Sequence, residues 1–214
     1  MLNPSVRVIP SRGARTAMNP VARGTIFGKA ATVGLILILV SVALSSPPAS
    51  AQIGAKFAGF RLTDADGKTR ALEDYAGSIV VLVFWSFKCP VAAPERMALL
   101  ESKYRSRRVA FLAVASNRDE SPVEIRRNAE NLNLGVPVLL DQDGTLAQKL
   151  SVTQTPSVVI LDGGGMLRYR GAIDNNKRAG EHGRIAYAED ALDALLSGQP
   201  VLKAETKVSG CSIR

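Results

Sequence analysis

The chain has 214 residues, of which 46% are hydrophobic, and this length is typical of one globular domain with extensions. Its formal net charge of +8 is concentrated at the N-terminus, because residues 1–51 hold five basic residues and no acidic one. The other 22 of the 27 basic residues stand against 19 acidic ones and form no basic run, which excludes a charge-based argument for nucleic-acid binding.

Residues 1–51 have the pattern of a secretory signal peptide. A basic stretch leads to an apolar run at residues 30–44, and small residues at Ala49 and Ala51 follow, as at a signal-peptidase site. The run of about 15 residues is shorter than the roughly 20 that span a bilayer. We expect cleavage near Ala51 and an exported mature chain, periplasmic or secreted. An uncleaved membrane anchor and a start at Met18 are the alternatives.

The chain before Cys89 predicts three short elements and one long strand. Residues 60–62 predict a short strand, residues 64–68 a hairpin turn and residues 72–75 a helical turn. Residues 79–84 are six consecutive apolar residues, mostly β-branched, which indicates a central strand covered on both faces. This strand runs into a turn that ends at Cys89.

Two helix starts are open after Cys89. Pro90 and Pro94 both favour the first turn of a helix, where a missing N–H costs nothing. A start at Pro90 places Cys89 at the helix N-terminus, where the partial positive charge stabilises a thiolate. A start at Pro94 leaves the thiol in a loop.

The rest of the chain predicts four more strands, three more helices and a tail. Ser121 and Glu124 form a capping box that starts a helix ending at Gly135. The other predicted elements are strands at residues 109–115, 136–140, 157–161 and 166–172, helices at residues 145–150 and 186–196, a surface loop at residues 174–184 and an aperiodic tail at residues 199–214.

This order of elements predicts an α/β fold. Alternating strands and helices give parallel strands with crossover helices, and the late hairpin adds antiparallel strands, so we expect a mixed central sheet flanked by helices on both faces. Ligands of such sheets bind at the carboxyl ends of the strands, where Cys89 lies. A thiolate is a strong nucleophile, so this position indicates a functional thiol. The alternative is a buried, inert cysteine.

The chain contains two cysteines, Cys89 and Cys211. An exported protein permits a disulfide between them, although a domain of this size folds without such a cross-link. A tail of about a dozen flexible residues can span an active-site face at up to ~3.3 Å per residue. A redox pair and a structural pair are therefore both open at this point.

The sequence resembles the thioredoxin-fold superfamily in its redoxin branch. That branch includes peroxiredoxins of the alkyl-hydroperoxide-reductase and thiol-specific-antioxidant type and exported thiol–disulfide reductases. The stretches that carry the resemblance are residues 81–90, 111–117, 155–162 and 168–171. The resemblance implies a thioredoxin-like fold, organised as a signal peptide at residues 1–51, a redoxin domain at residues 52–198 and a tail at residues 199–214 that carries Cys211.

Two departures from the family patterns concern the turn at Cys89. Reductases carry Cys-x-x-Cys, but here Ala92 replaces the second cysteine. Peroxiredoxins carry Pro-x-x-x-Thr/Ser-x-x-Cys, and here Ser86 and Cys89 match its second half while Leu82 replaces the proline. The whole is similar to a peroxiredoxin-like group of exported redoxins whose tail ends in Gly-Cys.

The resemblance implies an exported peroxiredoxin-like thiol oxidoreductase. Cys89 is the expected nucleophile, which reduces a peroxide and becomes a sulfenic acid, and Cys211 is the expected resolving cysteine that attacks it. The partners are then a peroxide or disulfide substrate and an external thiol reductant such as a thioredoxin-type donor. For Cys211, a free thiol, an intermolecular disulfide and a structural clip are the alternatives.

Four residues are expected to bind substrate at the site. Ser86 would hydrogen-bond the thiolate or peroxide, Thr155 and Pro156 resemble the cis-proline turn that lies against the sulfur, and Arg170 would stabilise an anionic thiolate. Lys88 is adjacent and would lower the pKa of Cys89. The alternatives are that Ser86 is an ordinary turn serine, that Pro156 is a trans proline at a strand start, that Arg170 forms an exposed salt bridge and that Lys88 is a solvated surface charge.

Two other functions stay open. One is thiol–disulfide exchange on protein substrates, against which the missing second cysteine of the turn counts. The other is a non-catalytic binding module, because a fold does not fix a function. We expect no cofactor and no metal, since His182 is the only histidine and its spacing from Cys89 and Cys211 matches no metal motif. A membrane partner is expected only if residues 1–51 stay uncleaved.

Overall fold

The computed structural model describes residues 50–91, 94–175 and 185–214. The predicted signal peptide lies outside the described residues except for Ser50 and Ala51, and so do most of the predicted surface loop and His182. None of the helices in the described ranges combines the length and apolar character needed to cross a lipid bilayer.

The described part of the chain forms nine strands and five helical segments. The strands are β1 (Arg61–Thr63), β2 (Thr69–Ala71), β3 (Ile79–Trp85), β4 (Val109–Ala115), β5 (Val138–Leu140), β6 (Gln154–Thr155), β7 (Ser157–Leu161), β8 (Leu167–Gly171) and β9 (Cys211–Ser212). The helices are a 3₁₀ turn (Leu72–Tyr75), α1 (Pro94–Tyr104), α2 (Pro122–Asn131), α3 (Thr145–Lys149) and α4 (Tyr187–Leu196).

The central sheet has five strands in the order β5-β4-β3-β7-β8. Strands β3, β4 and β5 are parallel, whereas β7 and β8 are antiparallel to their neighbours. The predicted central strand, β3, lies in the middle, and all its residues after Ile79 are buried. The predicted mixed sheet is therefore confirmed.

Both faces of the sheet are covered. On β3, Val81 and Val83 belong to a core cluster that also contains buried residues of α1, α2 and α4. Val80, Leu82 and Phe84 point to the other face, where α3 and the N-terminal segment of the domain cover them. This division follows from the alternation of side chains along a strand, and it confirms the expected flanking helices.

The structure decides between the two predicted helix starts, because α1 begins at Pro94. Cys89 consequently lies in a turn five positions before the helix. The partial charge of a helix N-terminus falls off within its first turn, so it does not explain a stabilised thiolate at Cys89.

The sequence predicts a flexible tail, but in the disulfide-bonded structure hydrogen bonds hold the tail in place. The backbone N–H of Arg170 donates to Ala204 O at 2.9 Å, and Thr206 N donates to Arg170 O at 3.2 Å. The hydroxyl of Thr206 accepts from Ala172 N at 2.9 Å and lies 2.7 Å from the hydroxyl of Tyr169. These contacts hold the tail against β8 well before it reaches Cys211.

A buried carboxylate organises the hairpin of β1 and β2. Asp64 is only 1% exposed and accepts hydrogen bonds from Lys68 N at 2.8 Å and Arg70 Nε at 2.8 Å. Burial alone would raise the pKa of Asp64, but the hydrogen bonds from Arg70, Lys68 and Asp66 outweigh it, so the pKa lies below its ordinary value of 3.8.

The substitution Asp64→Asn is expected to lower the free energy of unfolding by about 1.5–3 kcal/mol at neutral pH, because it removes a hydrogen-bonded charge. A lowered pKa contributes stability above the unfolded-state pKa that is lost as the pH falls through the folded-state pKa. Denaturant unfolding near neutral pH and at about pH 2.5 should therefore show the difference shrinking in acid. A difference of equal size at both pH values would contradict this, and Asp66→Asn, at an exposed position, is the control.

Candidate active site

Cys89 and Cys211 are joined by a disulfide bond. Their Cα atoms are 5.9 Å apart although the residues are separated by 122 positions in the chain. Cys89 is 4% exposed, whereas Cys211 is half-buried. The structure thus brings together the two residues that the sequence marks as nucleophile and partner, with Cys211 on the outer side.

The turn between β6 and β7 lies against this disulfide. The Thr155–Pro156 peptide bond is cis, as the resemblance implies. The Sγ atom of Cys89 lies 3.6 Å from Thr155 O. A disulfide sulfur carries no proton, so this is a packing contact in the oxidised protein. The reduced thiol of Cys89 would have a hydrogen-bond acceptor at this position.

The end of the tail forms a strand beside this turn. Strand β9 pairs antiparallel with β6, which places Cys211 opposite Thr155. The pairing continues beyond the strand, because Ile213 N donates to Thr153 O at 3.0 Å. The sulfur of Cys211 is therefore brought to Cys89 by an extended peptide that pairs with the short strand β6.

A second set of contacts fixes the last residue. Arg214 N donates to Asn117 Oδ1 at 3.0 Å, and Arg118 N donates to Arg214 O at 2.9 Å. Asn117 and Arg118 follow β4, so the tail crosses the carboxyl ends of β3 and β4. This is the edge of the sheet at which the sequence predicts a ligand.

Ser86 is buried and its hydroxyl is already engaged. Ser86 Oγ donates to Glu120 Oε1 at 2.5 Å, and the same carboxylate oxygen accepts from Lys88 N at 3.1 Å. Cys89 N donates to Ser86 O at 3.3 Å. Ser86 and Glu120 therefore shape the turn that presents Cys89, which differs from the expected direct bond between the Ser86 hydroxyl and a thiolate or peroxide.

Glu120 is a site residue that the sequence interpretation missed. It is 1% exposed, and its Oε2 atom has no hydrogen-bond partner among the described residues. Gln142 Nε2 donates to Glu120 O at 2.7 Å and fixes the backbone there. One signal in the sequence could have placed Glu120 near Cys89. Glu120 follows β4 and Cys89 follows β3, and loops after neighbouring parallel strands lie at the same edge of the sheet.

Replacing Glu120 by alanine is expected to destabilise the protein by about 1–3 kcal/mol, because the buried Ser86 hydroxyl and Lys88 N–H lose their acceptor. Glu120→Gln keeps an acceptor oxygen and should lose clearly less. Thermal unfolding of the two variants checks this, with Asp119→Ala, at an exposed neighbouring carboxylate, as the control. Equal losses for alanine and glutamine would contradict the assigned contacts.

A cavity of about 330 Å³ opens beside the disulfide. Its walls combine polar and charged side chains with the two cysteines and consist of Ser86, Lys88, Cys89, Asn117, Asp119, Cys211, Ser212 and Arg214. The Lys88 ammonium donates to Asp119 O and lies 3.8 Å from the Asp119 carboxylate. Both sulfur-bearing residues are thus reached from one solvent-accessible cavity, and Lys88 is paired rather than directed only at Cys89.

The expected role of Arg170 at a thiolate is not supported by its contacts. Its Nη1 atom donates to Ala51 O at 3.1 Å and Leu150 O at 3.0 Å. Its Nη2 atom pairs with the carboxylate of Glu205. Arg170 thus holds the tail and the start of the domain, and it is absent from the lining of the disulfide cavity. The guanidinium group of Arg170 therefore interacts with carbonyl and carboxylate oxygens that lie away from that cavity.

Asp141 is a second buried carboxyl at the same edge of the sheet. Burial raises its pKa, although hydrogen bonds from Leu146 N, Ala147 N and the Ser116 hydroxyl oppose the rise. The two N–H groups belong to the first turn of α3. The contacts therefore assign Asp141 to holding this helix against β4 and β5.

Among the described residues there is no cluster of three or more His, Cys, Asp or Glu side chains that could hold a metal ion. Both sulfurs are occupied by the bond between Cys89 and Cys211. His182, the third ligand considered, lies outside the described residues.

Comparison with known proteins identifies relatives of this chain. The sequence profile of the AhpC/TSA family matches residues 53–170. Among curated proteins, the thiol-disulfide oxidoreductase ResA of Bacillus thuringiensis is 28% identical over 116 residues, which is 53% of this chain and 66% of ResA. The match thus spans just under two thirds of that relative. The thiol:disulfide interchange protein DsbE of Escherichia coli is 29% identical over 62% of this chain and 71% of its own length.

Two solved structures cover more of the chain. An uncharacterized conserved protein from Geobacillus kaustophilus has 30% identity and a TM-score of 0.68, covering 80% of this chain and 97% of that one. A hypothetical protein from Sinorhizobium meliloti has 26% identity and a TM-score of 0.66, covering 77% and 95%. The relatives confirm the resemblance to redoxins, and the named ones are thiol–disulfide oxidoreductases.

Proposed function

This chain belongs to the AhpC/TSA family, and we propose that it is a thiol–disulfide oxidoreductase whose redox-active pair is Cys89 and Cys211. The observation that supports this most is the disulfide itself, which joins a cysteine at the carboxyl end of the central strand to one in the tail. The bond lies at the wall of an open cavity, where a substrate sulfur can approach it.

The proposed reaction has two exchange steps. The Cys89 thiolate attacks one sulfur of a substrate disulfide, so that a mixed disulfide forms and the other substrate sulfur leaves as a thiolate. The Cys211 thiolate then attacks Cys89 Sγ, which releases the second substrate thiolate and leaves the Cys89–Cys211 disulfide. An external dithiol reduces this bond, and the protein returns to the two-thiol form.

The site geometry favours exchange over peroxide reduction. The hydroxyl of Ser86, which would contact a peroxide in the initial hypothesis, donates instead to Glu120 at 2.5 Å. The curated relatives named above are disulfide oxidoreductases, which also supports exchange. The missing second cysteine at Ala92 no longer counts against it, since Cys211 provides a partner sulfur from the tail.

The other predicted site residues receive positioning roles in this proposal. Thr155 and Pro156 form the backbone wall against which a peptide strand carrying a cysteine lies. Ser86 and Glu120 hold the turn of Cys89. The substrates are disulfides in extended polypeptide segments, and the electron donor is an external thiol protein. An exported location follows if residues 1–51 act as a signal, and it is part of the proposal.

A direct comparison of two reactions tests the proposal. Reduced full-length protein should reduce a disulfide-bonded model protein such as insulin, with dithiothreitol as the electron donor, faster than it consumes hydrogen peroxide. Peroxide consumption without catalysed disulfide exchange would contradict the proposal and restore the peroxidase hypothesis.

A further inference from the structure

The tail passes the cis-proline turn at a point that has no room for a side chain. A Cβ atom on Gly210 would lie 2.0 Å from Thr155 O, 2.8 Å from Thr155 C and 3.3 Å from Pro156 N. These three are backbone atoms of the turn next to Cys89. A side-chain rotation therefore cannot relieve the overlap, and only glycine fits at this position.

The register of the tail strand is fixed at the cysteine and at the two residues that follow it. Cys211 lies opposite Thr155, and Ser212 lies opposite Gln154. The hydrogen bond from Ile213 N to Thr153 O continues the same pairing. A peptide that pairs with β6 along this path and carries its cysteine to Cys89 therefore places its preceding residue where Gly210 lies.

The two positions after the cysteine differ in how far their side chains are buried. Ser212 is exposed, so its side chain is unrestricted. Ile213 is half-buried and packs against the core cluster that contains Leu146 and Val152. The edge of β6 thus requires glycine before the cysteine, leaves the side chain directly after it exposed, and favours an apolar residue at the next position.

We propose that this edge selects extended peptide segments of the sequence Gly-Cys-x-aliphatic, with the glycine as the determining feature. The chain's own tail is the internal example of such a segment, and it has to leave the edge before another peptide pairs there. The inference rests on the proposed exchange at Cys89 and adds a substrate class to it.

The test uses full-length Cys211→Ala protein and short peptides whose cysteine is joined to thionitrobenzoate. The Cys89 thiolate attacks the cysteine sulfur of the peptide and forms a protein–peptide disulfide. The sulfur–sulfur bond to thionitrobenzoate breaks, and the coloured thionitrobenzoate thiolate leaves with the electron pair. The colour therefore reports the rate of peptide capture.

A peptide containing Gly-Cys-Ser-Ile is expected to react at least about tenfold faster than one containing Ala-Cys-Ser-Ile, because the added methyl group overlaps rigid backbone. A Gly-Cys-Ala-Ile peptide should match the first, since that position is exposed. The Gly-Cys and Ala-Cys peptides compete with the same tail for β6, so the ratio of their reaction rates does not depend on the tail. Equal rates for Gly-Cys and Ala-Cys overturn the inference but leave exchange at Cys89 standing. Colour release from neither peptide overturns the inference and the proposed function together.

The same position is tested within the chain. Gly210→Ala should slow the closure of the Cys89–Cys211 disulfide by at least about tenfold after oxidation with a small disulfide. Ser209→Ala, at the exposed neighbouring position, is the matched control and should close at the wild-type rate. If the Cys89–Cys211 disulfide of Gly210→Ala forms at the wild-type rate, the inference that only glycine fits at this position is overturned.

Discussion

Replacing Cys89 by serine is expected to reduce catalysed disulfide exchange to the rate of the uncatalysed reaction. A serine hydroxyl is nearly isosteric with the thiol but is a weak nucleophile at its ordinary pKa, and it cannot form a disulfide. Cys89 is 4% exposed in a turn whose backbone is held by Ser86 and Glu120, so the fold should persist. Reduction of the model protein disulfide measures the loss, and circular dichroism checks the fold.

Ser102→Ala is the control for Cys89→Ser, because Ser102 is an exposed residue of the helix that follows the active-site turn. It should retain wild-type activity. Retention of most of the exchange activity by Cys89→Ser would remove Cys89 from the mechanism.

Without an added reductant, replacing Cys211 by alanine is expected to stop the reaction after the first step. The Cys89 thiolate still attacks the substrate, but the described site then contains no second thiol to resolve the mixed disulfide. The core clusters are built almost entirely from residues before the tail, so the domain should still fold. Mass spectrometry after rapid quenching should show about one substrate molecule bound per protein, attached through Cys89.

An added reductant shows whether the Cys211→Ala variant fails only at the step that resolves the mixed disulfide. Added dithiol should release the trapped substrate from Cys211→Ala and restore partial turnover. Wild-type turnover without any trapped intermediate would show that Cys211 is only a structural cross-link.

The middle of the sheet was predictable because β3 and β4 are apolar over their whole length. β3 and β4 are buried on both faces, and runs of consecutive apolar residues report that state directly. The start of α2 was equally clear, since the capping box of Ser121 and Glu124 forms as the sequence indicates. The start of α1 was ambiguous because Pro90 and Pro94 satisfy the same local rule.

The tail and the carboxylate of Glu120 were not predictable from local pattern. Strand β9 has two residues and arises only from pairing with β6, so it leaves no periodicity in the sequence. Glu120 stands in a polar loop after β4 and becomes buried only when the turn of Cys89 closes over it. Arg170 was misassigned for the same reason, because its partners come from distant parts of the chain.

The active-site turn receives its second sulfur from the tail. Cys89 lacks a partner within the turn, and the sequence alone left both a redox and a structural role for Cys211. In the structure the tail arrives as an added strand with Gly210 against the cis-proline turn and Cys211 on the sulfur. The partner is thus delivered by backbone pairing from the C-terminal end of the chain.

In the proposed reaction the Cys89–Cys211 bond opens and closes in every catalytic cycle. Samples of the wild-type protein are taken at intervals during turnover, their free thiols are alkylated, and the labels are counted by mass spectrometry. We expect two alkylated cysteines in the reduced protein, none after an equal amount of oxidised substrate is added, and two again with excess dithiol. A bond that stays closed throughout turnover, or two cysteines that stay available to the alkylating reagent after substrate is added, would disprove the proposed reaction.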